Sequence, residues 1–227
     1  KLALLYTKPF GRIMVHPAAV ADTLLRWAAG SGYTGGGKPA DPAAVALLLR
    51  TACALWRASP NDAVRARQLE HVQALAALLR SLSNLDKTGT RDHWGPASAA
   101  QRPGAGEWSA ECTWSASNTL FSRKPTPHGG TAATTASAGH ALLDAHEVLV
   151  AVGDLGTSAA VRAAAESAAE WIVEECGHVG TAAGPVFRWA PGMAHRVPHA
   201  SAAAAGFLAR AALTLSRDAW LNLAVAA

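Results

Sequence analysis

Residues 136–154 read ASAGHALLDAHEVLVAVGD, and residues 200–218 read ASAAAAGFLARAALTLSRD. The two stretches align without a gap at an offset of sixty-four residues. Seven positions are identical: Ala136, Ser137, Ala138, Ala141, Ala145, Leu149 and Asp154. Each copy opens with a Ser among small residues, runs for about four helical turns, and stops at a polar turn with Asp. The pattern predicts a helix–turn–helix unit used at least twice. One such unit cannot bury its apolar face alone, so the units are expected to stack.

Working outward from this repeat, the first copy is expected to be a helix over 136–152, with a partner over 158–175 launched from Gly156-Thr157. The second copy is expected over 202–215, with its partner from Ala219 onward. Upstream, Asp41-Pro42 is an N-cap followed by a first-turn proline, and AAVALLLRTACALWRA carries that helix to about Ala58. It is apolar nearly all round and is expected to be buried on most sides. Ser59-Pro60-Asn61-Asp62 ends it and caps a more amphipathic helix over 63–82. An earlier helix is expected to start at Pro17 and close at Gly30. Lys1–Val15 is split by Pro9 and Gly11 and reads as extended chain or a short hairpin. The loop SGYTGGGK, 31–38, is glycine-rich. However, its Lys38 precedes Pro39 rather than Ser or Thr, and it follows a helix, so a flexible connection fits better than a phosphate loop.

Two segments break the helical pattern, 84–134 and 176–198, and each precedes the first helix of a pair. Loops this long in compact domains are usually functional or disordered. The richness in Trp argues for order, because disordered segments are poor in aromatics. The chain is therefore read as a single helical-hairpin domain over 1–227. It has an extended start (1–16), a long loop over one end (84–134) and its clearest repeats in 136–227. The absence of an initial Met and the uncapped final AWLNLAVAA suggest truncation at both ends.

Composition supports the helical reading and narrows the function classes. Half of the 227 residues are hydrophobic and 16% are charged. Much of the apolar content is Ala, the best helix former, which also lets helices approach closely. The net charge of +4 comes from scattered Arg, with no basic run of the kind that binds nucleic acid, so no nucleic-acid partner is expected. No apolar run is long enough to span a membrane. Cys53, Cys112 and Cys176 are odd in number and far apart, which argues against a disulfide framework and suits a reducing, cytoplasmic compartment.

The segments TASAGHALLDAHEVLVAVGD and VPHASAAAAGFLARAALTLSRDAWLNLA resemble successive hairpins of the (α/α) toroid superfamily, which includes the six-hairpin glycosidase-like enzymes and has terpenoid-cyclase-like toroids as neighbours. The resemblance covers 128–227 well and 17–82 by pattern alone. It implies an all-α fold of stacked hairpins forming all or part of a toroid, with long loops at one end building a cleft. It also implies a carbohydrate ligand, with Trp stacking on sugar rings and Asp or Glu doing acid/base work. The chain departs from that family in having seven or eight helices where a full barrel has twelve. It also lacks the Asp-rich and Gln-Trp motifs of squalene-type cyclases.

Glycoside hydrolysis needs two carboxyl groups, and a Trp beside one of them can desolvate it and raise its pKa. Asp92 and Glu107, with His93, Trp94, Trp108 and Trp114 nearby in sequence, are the first such pair. His140, Asp144 and Glu147 follow at spacings of four and three, which makes a single polar stripe on a helix. His140 and Asp144 are the second acid/base candidates, and a hydrogen-bonded pair stabilising a buried helix is the plainer reading. Arg188, Trp189, His195 and His199 in the second loop are candidate contacts to a carboxylate or hydroxyl-rich ligand. Glu175-Cys176-Gly177-His178 resembles half a zinc motif, but further Cys-His partners are missing, so a helix end at Gly177 is expected and neither metal nor cofactor is assigned. Ser109, Ser115 and His128 do not form a G-x-S-x-G elbow. Three function classes follow: a carbohydrate-active hydrolase, lyase or epimerase; a binding or scaffold module without chemistry; and a terpenoid-cyclase-like toroid with an apolar cavity. Two carboxyl groups converging near Trp94, Trp108 and Trp189 would mark the first, and those Trp residues buried between helices would mark the second.

Overall fold

The computed structural model describes residues 41–85, 131–191 and 197–227, with 6–8, 11–13, 22, 23, 25, 92 and 93 in addition. For 6–8, 11–13, 84–85 and 92–93 the backbone alone is described. The described part is predominantly helical. Its helices are α1 (Pro42–Ala58), α2 (Asp62–Ser81), α3 (Ala132–Ala151), α4 (Leu155–Trp171), α5 (Pro198–Leu215) and α6 (Asp218–Ala226). Three short antiparallel ladders accompany them: β1 (Tyr6–Lys8) with β2 (Gly11–Ile13), β3 (Asn84–Leu85) with β4 (Asp92–His93), and β5 (His178–Thr181) with β6 (Gly184–Phe187).

The helix starts follow from side-chain caps. Asp41 accepts from the Ala43 N–H at 3.1 Å, Asn61 from Val64 at 3.1 Å, Thr131 from Thr134 at 3.2 Å and Asp154 from Thr157 at 3.2 Å. Each satisfies one of the backbone donors left over at a helix start. The helices of both repeat copies begin four residues before the expected positions, at Ala132 and Pro198. Thr131 caps the first, and Pro198 occupies the opening turn of the second, where its missing N–H costs nothing. α4 likewise starts earlier than expected, because Asp154 rather than Thr157 is its cap. It ends in a π-helical turn over Ile172–Cys176, and Gly177 then leaves the helix at φ 69° and ψ −175°.

The helices pair as three hairpins, α1–α2, α3–α4 and α5–α6. The first helices of the three, α1, α3 and α5, also pack side by side in a row, with α3 in the middle. The second helices pack on their own partners, and α2 and α4 touch the next first helix only lightly. Burial separates the two layers. Twelve of the twenty residues of α3 are buried, against six of twenty in α2. The hub of the fold is thus the helix of the first repeat copy.

Small residues make the row tight. At Gly139 an added Cβ would run into the ring of Phe207, so α5 lays that ring directly on the α3 backbone. Around it the core gathers Leu49, Leu75, Leu142, Leu149, Phe207 and Trp171. His146 and Ser158 share a 2.7 Å hydrogen bond that ties α3 to α4, and Gln73 donates to Asp154 at 3.0 Å, tying α2 to the α3–α4 turn.

Residues 176–198, expected to be irregular, instead contain the β5–β6 hairpin, paired from His178–Phe187 to Thr181–Gly184. The hairpin is anchored on the starting ends of two first helices. The Trp189 carbonyl accepts from Ala132 N–H at 2.9 Å, and Ser201 accepts from Phe187 N–H at 3.0 Å. The expected short hairpin near the start of the chain is present as β1–β2. Of the helix expected over 17–30, positions 22, 23 and 25 are helical and the rest lie outside the described residues.

Candidate functional site

The side of the α1–α3–α5 row turned away from the second helices carries a cluster of charge. On α3 the polar stripe contains His140, Asp144 and Glu147, spaced so that they stack along one face. Arg50 and Arg57 reach it from α1, seven residues apart and therefore on one side of that helix. Arg210 reaches it from α5.

Asp144 is the node. Its Oδ2 accepts from Arg50 Nε at 3.1 Å, its Oδ1 accepts from Arg210 Nη2 at 2.8 Å, and Arg57 Nη1 lies 3.6 Å from Oδ1. Its backbone carbonyl accepts from Arg57 Nη2 at 3.0 Å. Glu147 accepts from Arg57 at 2.8 Å and from Arg210 at 2.7 Å. Arg210 also donates to the His140 carbonyl at 3.3 Å. Three guanidinium groups thus meet two carboxylates, leaving one unit of positive charge. The Asp144 side chain is only 13% exposed, whereas that of Arg50 is 50% exposed, so the cluster is rooted in the helix row and opens to solvent.

His140 lies one turn before Asp144 but makes no hydrogen bond to it. Its ring stands edge-on to Phe207 with centroids 5.5 Å apart, and its Nδ1 is buried with no partner among the described residues. Burial, followed by the positive charges of Arg210 and Arg50, pushes the imidazole down to about 4, against a smaller opposing pull from Asp144. His140 is therefore neutral near neutral pH. The expected His140–Asp144 pair is replaced by an arrangement in which guanidinium groups engage both Asp144 oxygens. The stripe itself was legible on α3. The three arginines were not, because they come from helices tens of residues away and become neighbours only when the row packs.

The second-loop candidates fall at the starting end of the row. Trp189 is half-buried, with its carbonyl on the first N–H of α3. The Arg188 carbonyl accepts from Cys176 Sγ at 3.0 Å, and its buried Nε has no partner among the described residues. His199 is exposed in the first turn of α5, on the same helical face as Gly206 and Arg210 by its spacings of seven and eleven. A Cβ at Gly206 would stand 4.0 Å from His140 Nε2, which places that part of α5 beside the imidazole. The hairpin end and the charge cluster thus share the row, about two to three helical turns apart.

The first-loop candidates are not brought into this picture. Asp92 and His93 form β4, whose backbone lies against α4, and their side chains are not among those described. Trp94, Glu107, Trp108, Trp114 and His195 lie outside the described residues. Of the other Trp residues, Trp171 is fully buried and Trp56 nearly so, with Arg65 stacked 4.5 Å above the Trp56 ring.

The Cys residues described are core thiols. Burial pushes both Cys53 and Cys176 up to about 12, so each stays protonated, whereas metal ligation needs the thiolate. Cys176 spends its proton on the Arg188 carbonyl, and Gly177 forms the expected helix end. Among the described residues no group of three or more His, Cys, Asp or Glu is placed to hold a metal ion, and no helix is long and apolar enough to cross a membrane. Comparison with protein-family models, with curated proteins and with solved structures finds no significant match.

Proposed function

We propose that the chain is a helical-hairpin domain of the (α/α) toroid type, and that the open face of its first-helix row binds a carbohydrate. The observation that carries this reading is the convergence of Arg50, Arg57 and Arg210 on Asp144 and Glu147, on the solvent side of the row. Asp144 is largely buried, and a structural helix array has no need of a carboxylate there, since replacing a buried ion pair by apolar packing is often at least as stable. Charged groups fixed by one another keep their rotamers, and that preorganisation suits hydrogen bonding to a hydroxyl-rich ligand. His199 in the first turn of α5 extends the same face, and half-buried Trp189 at that end of the row is the candidate ring for stacking on a sugar. Neutral His140 lies on α3 between the two groups and adds no charge to the face.

Within this reading a binding module is favoured over a catalyst by one feature: both candidate carboxylates of α3 are engaged by guanidinium groups. A general acid or base needs a carboxyl group free to exchange a proton with the substrate, at a pKa near the working pH. An imidazole held near 4 is likewise a weak base at neutral pH. The acid/base reading, as a hydrolase, lyase or epimerase, rests on Asp92 and Glu107.

The test is thermal melting with a panel of neutral and acidic oligosaccharides, because a ligand that binds only the folded state must raise the midpoint. The proposal expects at least one sugar to raise it in a concentration-dependent way. A cooperative melt that no sugar in the panel moves would overturn it.

A further inference from the structure

The three arginines of the cluster are not equivalent. Arg210 and Arg57 are spent: each spreads its donors over Asp144, Glu147 and a backbone carbonyl of α3. Arg50 makes a single contact, from Nε to Asp144 Oδ2. Its Nη1 and Nη2 have no hydrogen-bond or ion-pair partner among the described residues, and its side chain is 50% exposed. Of the three guanidinium groups that share two carboxylates, Arg50 is thus the least engaged.

The geometry of that contact matters. A guanidinium group offers a carboxylate two planar edges, one through Nε and one Nη, the other through both Nη atoms. Asp144 holds Arg50 through Nε and so leaves the end-on Nη edge available, on a planar group whose orientation is already set. The neighbours on that side of α1, Leu47 and Ala54, are exposed and uncharged. His140, one turn away on α3, is neutral and does not compete for an anion.

We propose that Arg50 is the anion-recognising residue of this face, taking the carboxylate of a uronic acid unit on its two Nη atoms, with Asp144 as the positioning residue. The inference rests on the carbohydrate reading and narrows it to acidic sugars. The face then discriminates by charge at one position rather than by overall basicity, since the donors of the other two guanidinium groups are engaged within the cluster.

The experiment measures binding by calorimetry of a panel of uronic acid tetrasaccharides and of their methyl esters, which keep the sugar and remove the charge. The inference expects at least one acid to bind about ten-fold more tightly than its ester, the scale of one charge-assisted bidentate contact. Arg50→Gln is expected to bring the acid-to-ester affinity ratio to about one, weakening the acid more than the ester. Arg50→Lys keeps the charge against Asp144, and hence the fold, but loses the planar fork and recovers only part of the preference. Equal binding of acid and ester, or a preference that survives in Arg50→Gln, overturns the inference and leaves the carbohydrate reading standing. Failure of both forms to bind removes the carbohydrate reading and this inference with it.

Discussion

His140 shows how much a single position depends on its packing. A histidine four residues before an aspartate on a helix reads as an ion pair, yet the ring turns toward Phe207 and Gly206, and Asp144 turns to the arginines. Its folded value of about 4 lies below the ordinary 6.5. The folded state therefore binds fewer protons than the unfolded chain between those values, and stability falls as pH drops through that window. The melting midpoint is expected to decline between pH 6.5 and pH 4, and His140→Gln is expected to flatten that part of the profile. An unchanged slope in the variant would show that His140 is not the group responsible. The polar stripe to which His140 belongs was legible from spacings alone. What the stripe contacts was not, because a helix of known face still has unknown neighbours.

Elements were legible where side chains punctuate them. Asp41-Pro42 and Asn61 announce α1 and α2 within a residue or so. The early starts of α3 and α5 escaped notice because the first turns, AATT and PHAS, carry no apolar period, and the helices are held there by Thr131, by Pro198 and by the hairpin. The β5–β6 hairpin was hidden for a related reason. Its strands are only four residues long, β5 alternates merely between exposed and half-buried positions, and they exist because Gly177 turns the chain and Trp189 and Phe187 bond to helix starts. Gly177 sits at φ 69° and ψ −175°, a conformation essentially closed to residues with a side chain. Gly177→Ala is expected to cost about 1–3 kcal/mol, with faster amide exchange at Phe187 and Ala132 as the hairpin loosens. A variant with wild-type exchange at both amides would show that the hairpin does not depend on this turn.

At the scale of the molecule, the Asp144 cluster joins all three hairpins, since its arginines come from α1 and α5 and its carboxylates from α3. Removing the node leaves guanidinium groups facing one another without an anion. Loss of one partner of a fully buried pair costs about 3–5 kcal/mol. The half-exposed arginines soften this, so Asp144→Asn is expected to cost about 2 kcal/mol, or roughly 6 °C of midpoint for a domain of this size. By contrast, Glu166→Gln removes a 2.6 Å pair with Arg217 in which the arginine is 53% exposed. That surface pair is expected to contribute little, because solvent screens it and holding two exposed side chains together costs entropy. Urea melts of the two variants check the difference, and equal losses would contradict a special role for the node. The repeat at 136–154 and 200–218 was enough to foresee stacked hairpins, whereas the central place of α3 came only from the packing. Convergence of charge from three hairpins on one face depends on the register between helices, and no local pattern encodes that.

In the proposed function, the open face of the α1–α3–α5 row is where this chain meets its ligand. Mapping amide-exchange protection while a binding oligosaccharide is added tests it most directly. The account predicts protection along α1, α3 and α5 around Arg50, His140, Gly206 and Arg210, with α2 and α4 unchanged. Protection confined to α2, α4 or the outer turns, or none in the row at saturating sugar, would contradict it.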